Sequence, residues 1–367
     1  MKILHTSDWH LGHTLYNYDR TVEQQAFLRQ LTRIVTEEQP DAMVVSGDIY
    51  HYSSPAAATQ KMYTDAMLNI HQACPEMTIV VTAGNHDSSS KLEIDSNLWQ
   101  HFGLNVVGNI ERTAEEVNLD KHIIEINNEK KTKGYVIAVP HVYPQNFPLL
   151  DTETPRDQRQ ARFFQALLDE VKKRNTAQLP VVLMAHLSIE GSDRSGHDES
   201  IGGIEYVPLS AMGEGYDYLA LGHIHCPQDI KGSHHHARYC GTPLPVSFDE
   251  TYPHSVSIIE LEKGAEPQIS TREIENPIPL VTLPHDPTPF EDALKLLEEY
   301  PEEKPAYLRL NVLTKGYLPP DCNEKASNAA KGKACKYCYI KTTRERQADT
   351  DESKPISIQE MQEMSPP

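Results

Sequence analysis

The stretch Val80-Val81-Thr82-Ala83-Gly84-Asn85-His86-Asp87 joins a short apolar run to a glycine and three polar side chains. An apolar run bounded by turn residues predicts a buried strand, and the Gly-Asn pair predicts a turn directly after it. Amide, imidazole and carboxylate groups on that turn are ligand types for divalent cations. The stretch therefore predicts a strand that carries functional side chains to one edge of a sheet, although an ordinary turn could have the same composition.

Four further segments repeat this design, because each puts a carboxylate or imidazole group just past a short apolar run. They are His5-Thr6-Ser7-Asp8-Trp9-His10, Val44-Val45-Ser46-Gly47-Asp48, Leu183-Met184-Ala185-His186 and Leu219-Ala220-Leu221-Gly222-His223-Ile224-His225. Sites in layered α/β folds form beyond the carboxyl ends of strands, so the five ends are expected to converge on one cleft. Any single segment could be a turn or a core histidine, but together they predict a pair of divalent metal ions. The absence of thiolates from the set disfavours structural zinc.

Apolar runs alternate with amphipathic stretches in the first part of the chain. Buried strands are predicted at residues 3–5, 42–46, 78–83, 136–139, 181–185 and 218–221. Helical spacing of apolar residues predicts helices over residues 22–37, 57–71 and 161–173. Thr21 and Gln24 predict a capping box at the start of the first helix. The alternation of strands and helices predicts an α/β layered domain.

Proline is concentrated between Pro277 and Pro289, which predicts a domain edge. We therefore divide the chain into a first domain of residues 1–275, a second domain of residues 276–347 and a tail of residues 348–367. A helix over residues 291–300 and a strand over residues 307–312 predict a small α+β fold for the second domain. The tail is polar and charged, and we expect it to be disordered.

The net charge of the chain and its local distribution favour different conclusions about nucleic acid as a partner. The formal net charge is −19 over 367 residues, which argues against nucleic acid as a partner. Bound divalent cations would, however, supply local positive charge that this count omits. Residues 325–346 are basic although the chain as a whole is acidic, since they contain seven Lys or Arg and one Glu. This run is interpreted either as a solvated face or as a strip that contacts a nucleic-acid backbone.

Features that bear on location and on other sites are few. No apolar run approaches the roughly 20 residues of a membrane helix, and the first residues begin a strand rather than a signal peptide. We therefore expect a cytoplasmic protein, no membrane partner and reduced cysteines. Cys322, Cys335 and Cys338 have no histidine nearby, which disfavours zinc binding. The run His234-His235-His236 is interpreted as a hairpin tip.

In this order, the motifs Asp-x-His, Gly-Asp, Gly-Asn-His-Asp, His and Gly-His-x-His resemble those of the calcineurin-like metallophosphoesterase superfamily. Within it the chain is similar to the SbcD nuclease family, the bacterial counterpart of the break-repair nucleases of archaea and eukaryotes. The resemblance runs from residue 1 to about residue 274 and includes residues 5–12, 46–51 and 240–250. It implies an α/β sandwich of two mixed β-sheets flanked by helices, followed by a small α+β capping domain.

The resemblance also assigns roles to the residues of the five segments. One ion would be held by Asp8, His10, Asp48 and His225, and the other by Asp48, Asn85, His186 and His223. The shared carboxylate of Asp48 would bridge the two ions, for which Mn²⁺ is the expected metal. His86 would donate a proton to the leaving oxygen, and Asp87 could orient His86.

His51 distinguishes the nuclease branch from the phosphatases that the superfamily contains. Those phosphatases carry Gly-Asp-x-x-Asp-Arg-Gly, whereas the same frame here reads Gly47-Asp48-Ile49-Tyr50-His51-Tyr52-Ser53. A histidine replaces the aspartate that orients the acid, and the arginine that grips phosphate is absent. In the nuclease branch this histidine positions the DNA backbone, so the resemblance implies the same for His51. A surface histidine without a role is the alternative.

The resemblance further implies partners. DNA would lie against the basic strip of the second domain, and its candidate contacts are Lys331, Lys333, Lys336, Lys341, Arg344 and Arg346. Two copies would pair through helices at residues 57–71 and 91–102, although core packing explains their apolar residues equally well. An SbcC-type coiled-coil ABC ATPase would complete a heterotetramer. Residues 356–364 resemble the opening of the helix that binds this ATPase, so the tail is interpreted as the start of a shortened ATPase-binding segment.

Three functions remain open at this point. The main expectation is a Mn²⁺-dependent DNA nuclease of an ATP-dependent repair and recombination complex, an exonuclease on double-stranded ends and an endonuclease on single strands and hairpins. Residues 189–206, rich in Gly, Ser and Asp, would form a mobile rim of its cleft. A small-substrate phosphodiesterase or phosphatase is the alternative, which His51 and the second domain disfavour. A catalytically silent binding subunit is the third, which the complete ligand set disfavours.

Overall fold

The apolar runs of the sequence become the strands of two large sheets. The computed structural model describes residues 1–112, 117–128, 131–196 and 206–344. In chain order the strands are β1 (Lys2–Thr6), β2 (Ala42–Ser46), β3 (Thr78–Thr82), β4 (Leu104–Val107), β5 (Ile123–Asn128), β6 (Lys131–Ala138), β7 (Val181–His186), β8 (Ser188–Ile189), β9 (Tyr206–Val207), β10 (Tyr218–Gly222), β11 (Gln228–Asp229), β12 (Ala237–Tyr239), β13 (Ser255–Glu260), β14 (Gln268–Glu273), β15 (Leu280–Thr288), β16 (Tyr307–Thr314) and β17 (Lys336–Arg344). The helices are α1 (Thr21–Glu38), α2 (Ala57–Ala73), α3 (Ser89–Leu92), α4 (Ser96–Trp99), α5 (Arg159–Arg174), α6 (Phe290–Glu298) and α7 (Cys322–Ala330).

Both large sheets are mixed. The first has the order β14-β13-β1-β2-β3-β4, and its strands from β1 to β4 are parallel. The second has the order β11-β12-β10-β7-β6-β5, and its strands from β12 to β6 are parallel. Antiparallel strands form one edge of the first sheet and both edges of the second. This arrangement confirms the predicted sandwich of two mixed sheets.

Side chains that alternate along the strands fill the space between the sheets. Val44 and Val80 of the first sheet share one buried cluster with Val136 and Met184 of the second. Since strand side chains point alternately to opposite faces, the remaining apolar positions pack outward against helices. Helices α1 and α2 cover the first sheet, and α5 covers the second. Burial of an aliphatic side chain in such a layer contributes about 1.5–3 kcal/mol, so the sandwich holds the strand ends rigidly.

The start of α1 differs from the predicted capping box. The Thr21 hydroxyl donates to Asp19 Oδ2 at 3.0 Å rather than capping the helix. The Gln24 amide instead reaches the loop after β1, where its Oε1 accepts the Gly12 N–H at 3.1 Å and its Nε2 contacts the His13 carbonyl oxygen at 3.3 Å. The capping prediction was therefore wrong, because both side chains have nearer partners. Gln24 ties α1 to the segment that carries Asp8 and His10.

The helix expected over residues 91–102 is also different. The chain there forms α3, α4 and a single 3₁₀ turn, Gln100–Phe102, instead of one helix. Glu93 lies between α3 and α4, and its Oε1 accepts the N–H groups of Gly108 at 2.6 Å and Asn109 at 3.0 Å. These bonds hold the chain beside β4, which explains why a continuous helix does not form.

The predicted hairpin tip agrees with the structure. The chain reverses between the antiparallel strands β11 and β12, so residues 234–236 lie at a hairpin tip. Cys322 and Cys335 are buried in the core that α6 and α7 form with the three-stranded sheet of β15, β16 and β17. No helix among the described residues is long and apolar enough to cross a membrane.

Chain contacts divide the molecule into two units, Met1–Pro279 and Leu280–Pro367. The second unit contains a sheet of three parallel strands in the order β15-β16-β17. Helix α6 connects β15 to β16, and α7 connects β16 to β17. Parallel neighbours need such crossover connections, so the helices pack against the sheet and bury Leu297 and Leu308.

Candidate metal centre

The seven candidate ligands lie at the carboxyl ends of five parallel strands. Asp8 and His10 follow β1, Asp48 follows β2, Asn85 follows β3, His186 ends β7, and His223 and His225 follow β10. The strands β1, β2 and β3 are neighbours in the first sheet, and β7 and β10 are neighbours in the second. The predicted convergence is therefore present, because the sandwich brings the two sets of strand ends together.

Several ligand residues adopt an unusual backbone conformation. The φ angles of Asp8, His10, Asp48 and His223 are 53°, 45°, 53° and 98°, in the left-handed region that side chains other than glycine rarely adopt. Hydrogen bonds hold two of them, from Asp8 N to Gly47 O and from His10 N to Asp48 O, both at 3.0 Å. Such strain costs on the order of 1–3 kcal/mol per residue and is concentrated at functional sites.

Two glycines allow the ligand loops to approach each other. A Cβ atom on Gly84 would lie 2.0 Å from Asp48 Oδ1, and one on Gly47 would lie 2.2 Å from His186 Nδ1. Non-bonded atoms do not approach each other this closely. The glycines beside Asp48 and Asn85 are therefore required by the close packing of the loops.

The ligand atoms form two overlapping groups. Those of Asp8, His10 and His225 lie within 4.8 Å of one another, and so do those of Asp8, Asp48 and His186. His10 Nε2 and His225 Nε2 face each other at 3.3 Å. Two imidazole nitrogens that point at one space beside a carboxylate suit a divalent cation.

Asn85 completes the second group. Its Oδ1 lies 3.0 Å from His186 Nε2 and 3.0 Å from His223 Nδ1. Asp48 Oδ2 lies 3.5 Å from the same His186 nitrogen. The amide oxygen, both imidazoles and the carboxylate therefore surround one position, as the ligands of a second cation would.

The charges around the site favour a bound cation. Burial by itself lowers the pKa of His186, but the carboxylate of Asp48 raises this pKa to about 9. His186 Nδ1 also lies 2.8 Å from the carbonyl oxygen of Ser46, so Nδ1 donates and Nε2 is directed at Asp48. The described donor set therefore fits divalent cations in charge, ligand type and orientation.

Glu250 supports His225, a role that sequence reasoning missed. This carboxylate is buried, and its Oε1 lies 3.0 Å from His225 Nδ1. Its Oε2 accepts the Thr242 hydroxyl at 3.1 Å. Carboxylates that bind the outer nitrogen of a ligating histidine fix the ring and its tautomer. Residues 240–250 belong to the segment that carried the family resemblance, which was the available signal.

We predict that Glu250→Gln weakens metal binding at the position between His10 and His225. The variant keeps the size of the side chain but loses the charge that holds the Nδ1 proton of His225. Metal affinity is expected to fall about 10–100-fold, measured by equilibrium dialysis with Mn²⁺. Exposed Glu303→Gln is the control, and equal affinity of Glu250→Gln and the parent protein would contradict the prediction.

His86 and His51 lie beside the ligands without belonging to either ligand group of the resemblance. The backbone N–H group of His86 donates to Asp48 Oδ1 at 2.9 Å. The ring nitrogen Nδ1 of His86 lies 2.8 Å from the carbonyl oxygen of His51. The two rings are stacked with centroids 5.2 Å apart. His10, His51 and His86 also bring ligand atoms within 4.8 Å of one another, so metal binding by His86 is a competing role.

Asp87 accepts hydrogen bonds from the backbone of two ligand loops. Its Oδ2 accepts the N–H groups of Ile49 at 3.1 Å and Gly84 at 2.9 Å, and its Oδ1 accepts that of Tyr50 at 2.9 Å. Burial, and then the charge of Asp48, raise the pKa of Asp87 to about 6. The carboxylate thus joins the loop after β2 to the loop after β3, while His86 is held by the His51 carbonyl oxygen. These contacts favour a supporting role for Asp87 over the orientation of His86.

We predict that Asp87→Asn destabilises the protein by about 1–3 kcal/mol, because an amide NH₂ group cannot accept the backbone N–H groups and leaves buried donors unsatisfied. Thermal unfolding of the metal-free protein measures the change. Exposed Asp65→Asn provides the control. An Asp87→Asn variant as stable as the parent, with reduced activity alone, would instead favour a role in orienting His86.

The basic strip of the second unit is only partly available for DNA. Lys331, Lys341 and Arg344 are exposed, whereas Lys336 Nζ lies 4.9 Å from the Tyr307 ring centroid. The Lys333 ammonium group donates to the carbonyl oxygens of Leu297, Glu298 and Tyr300 at 3.1, 2.5 and 2.8 Å. Lys333 therefore caps α6, which counts against a phosphate contact. Arg346 and the tail of residues 348–367 lie outside the described residues.

A cavity of about 390 Å³ opens over the candidate ligands. His51, His86 and two residues that the sequence had not suggested, His13 and Tyr16, contribute to its walls. Their short spacing from the Asp8-x-His10 motif was the available signal. Of the expected rim, residues 197–205 lie outside the described part of the chain, and Gly196 lines the cavity.

Comparisons with known proteins agree with this geometry. The calcineurin-like phosphoesterase family matches residues 1–227. The chain is 33% identical over 309 residues to the SbcD subunit of the nuclease SbcCD from Rhodobacter capsulatus, a match that covers 81% of this chain and 75% of the relative. The chain belongs to the SbcD family of calcineurin-like phosphoesterases. Members of this family are phosphodiester hydrolases that use divalent metal ions, and this chain is such a hydrolase.

Other similarities were also found. A second SbcD family member, the corresponding SbcCD nuclease subunit of Escherichia coli K12, is 29% identical over 330 residues, which cover 87% of this chain and 79% of the relative. Among solved structures, the protein TT1561 of Thermus thermophilus matches with a TM-score of 0.43 and 12% identity, over 75% of this chain and 99% of that one.

Proposed function

We propose that this SbcD family member is a DNA nuclease that uses two Mn²⁺ ions. It would act as an exonuclease on double-stranded ends and as an endonuclease on single strands and hairpins, in an ATP-dependent complex. The observation that carries the proposal is the convergence of the candidate ligands, five of which line one cavity together with His51 and His86, while Asp8 and His186 lie beside Asp48. The name of the relatives, a nuclease subunit, supports DNA as the substrate.

The ligand sets are proposed as the family resemblance implies them. One ion would be held by Asp8, His10, Asp48 and His225, and the other by Asp48, Asn85, His186 and His223. Two bound ions would neutralise the phosphodiester and activate water for in-line attack on phosphorus. Only Asp8 and Asp48 carry negative charge among the ligands, so the loaded site would stay positive enough to attract an anion.

His86 would supply the proton to the leaving oxygen. Its Nδ1 donates to the His51 carbonyl oxygen, since a carbonyl group only accepts. This bond leaves Nε2 at the opposite end of the ring as the atom that exchanges a proton with the substrate. His86 lies in the cavity wall with its ring centroid 4.9 Å from that of His10, next to the place where the ester bond would break.

His51 would hold the phosphate group. Its Nδ1 lies 3.4 Å from Nδ1 of His10. If His10 binds metal through Nε2, its own Nδ1 carries the proton and donates to His51 Nδ1. His51 then keeps its proton on Nε2 and offers a hydrogen-bond donor to a phosphate oxygen.

The partners are proposed on separate grounds. The relatives are named as one component of the SbcCD nuclease, which supports assembly with an SbcC-type ABC ATPase. A homodimer within a heterotetramer is supported by two exposed apolar side chains, Ile94 between α3 and α4 and Leu98 in α4, which are 78% and 58% exposed. Lys331, Lys341 and Arg344 would contact the DNA backbone, and a cytoplasmic location is proposed with these partners.

A substrate panel tests the function. The purified chain is assayed with Mn²⁺ on a single-stranded oligonucleotide, a duplex with free ends, a hairpin, a cyclic nucleotide and bis(p-nitrophenyl) phosphate. Single strands are included because duplex ends can require the ATPase. Cleavage of the oligonucleotide with the highest kcat/KM is expected. A higher kcat/KM for the cyclic nucleotide would favour the alternative, a small-substrate phosphodiesterase.

A further inference from the structure

We infer that His13 is a further substrate-positioning residue, a fixed N–H donor that contacts the phosphate next to the one being cleaved. The inference rests on the proposed nuclease function, because it requires a substrate with consecutive phosphates. It assigns to the cavity a subsite for a neighbouring phosphodiester group of the nucleic-acid chain.

Arg20 determines the tautomer of His13. Arg20 Nη1 lies 3.3 Å from His13 Nδ1. A guanidinium group donates hydrogen bonds and accepts none, so His13 Nδ1 must be the acceptor. A neutral imidazole that accepts at Nδ1 carries its proton on Nε2. The end of the ring remote from Arg20 is therefore a hydrogen-bond donor.

Arg20 is itself held firmly. It is 2% exposed, its Nε lies 3.4 Å from Glu23 Oε1, and its Nη1 donates to the Pro245 carbonyl oxygen at 2.6 Å. A buried guanidinium group needs such partners, because an unpaired buried charge is costly. Val246 and Ser247, which follow Pro245, line the same cavity as His13. Arg20 thus connects the His13 ring to the segment that carries Val246 and Ser247.

His13 extends a row of imidazoles away from the proposed reaction centre. The His13 and His51 ring centroids are 4.5 Å apart, and those of His51 and His86 are 5.2 Å apart. A chain whose scissile phosphate lies at His51 and His86 would bring its next phosphate toward His13. Within the described part of the chain, His13 Nε2 has no hydrogen-bond partner, so the donor is available to an anion.

The backbone contacts of this loop do not depend on the side chain. His13 N donates to His10 O at 3.0 Å, and the His13 carbonyl oxygen accepts from Gln24 at 3.3 Å. Substitution of the His13 side chain therefore leaves the connection to His10 in place. A glutamine at position 13 can accept from Arg20 through its oxygen and donate through its NH₂ group. A phenylalanine has a similar ring and neither function.

The test compares His13→Phe and His13→Gln with the parent on two substrates, a single-stranded oligonucleotide and bis(p-nitrophenyl) phosphate, which has one phosphorus. We expect His13→Phe to lower kcat/KM for the oligonucleotide about 10–100-fold, mainly through KM, as the loss of a hydrogen bond to a charged group predicts. The loss on the small ester should be at least about fivefold smaller, since it has no second phosphate. His13→Gln should restore most of the oligonucleotide activity. Exposed His285→Phe is the matched control, and Mn²⁺ content and thermal unfolding are measured for every variant.

Two results would overturn the inference while leaving the nuclease function intact: equal losses on both substrates, or a His13→Gln variant no better than His13→Phe. A parent protein that hydrolyses the small ester but no nucleic acid would remove the proposed function, and this inference with it. The tautomer has its own readout. In ¹⁵N-histidine spectra of the metal-free protein, the signals lost in His13→Gln should show an unprotonated Nδ1 and a protonated Nε2, and the reverse assignment would refute the role of Arg20.

Discussion

The Asp48→Asn variant is expected to lose at least about a thousandfold in kcat, the equivalent of several kcal/mol of metal-derived stabilisation of the transition state. Asp48 is buried, its Oδ2 lies 3.5 Å from His186 Nε2 and 3.9 Å from His10 Nε2, and it is the side chain shared by both proposed ligand sets. An amide of the same size keeps the shape of the site but removes the bridging charge. Both ions should therefore bind weakly.

The measurement is oligonucleotide cleavage together with Mn²⁺ content after equilibrium dialysis. Asp65→Asn is the matched control, because Asp65 is an exposed carboxylate that pairs with Lys61 on the outer face of α2. The control should bind two ions and cleave as the parent does. An Asp48→Asn variant with two bound ions and near-normal activity would exclude Asp48 as a bridging ligand.

The His86→Ala variant is expected to cleave the oligonucleotide about 10²–10⁴-fold more slowly, as the loss of a general acid predicts. The leaving oxygen of DNA is a sugar alkoxide, which needs a proton. The leaving group of bis(p-nitrophenyl) phosphate is a stable phenolate, which does not. The loss on this small ester should therefore be much smaller, and the difference between the two substrates identifies the proton donor.

The metal content of the variant distinguishes proton donation by His86 from metal binding by His86. His10, His51 and His86 could together hold an ion, and in that case His86→Ala would bind fewer ions and lose activity equally on both substrates. Retained Mn²⁺ content with a substrate-dependent loss is the expected result. His285→Ala, a substitution of an exposed histidine, serves as the control.

Much of the first unit could be predicted from the sequence. Each strand before a candidate ligand is a run of apolar residues, and each candidate ligand is within four residues of such a run, so local spacing located the five segments. The family resemblance then implied which seven side chains of these segments are ligands. The sandwich followed from the alternation of strands and helices and from the family resemblance. The capping box at Thr21 and the continuous helix over residues 91–102 were wrong, because Asp19 and Glu93 offer hydrogen bonds that periodicity does not reveal.

The supporting contacts of the site could not be predicted. Glu250 reaches His225 across 25 positions, and Asp87 accepts the N–H groups of Ile49 and Tyr50 from 38 and 37 positions away. Lys333, expected to contact DNA, lies at the end of α6. A charged side chain has the same sequence signature whether it meets solvent, a backbone amide or a ligand.

The sequence by itself therefore determined which residues could hold metal, because ligand type and position after a strand are local properties. Only the tertiary structure decided which nitrogen of each histidine faces the cavity and which carboxylates are supports. Those outcomes depend on the packing of the first sheet against the second, which brings Asp48 to His186 and Asn85 to His223 across 138 positions. They depend also on the buried Arg20, which turns His13 into a donor through a contact that only folding creates.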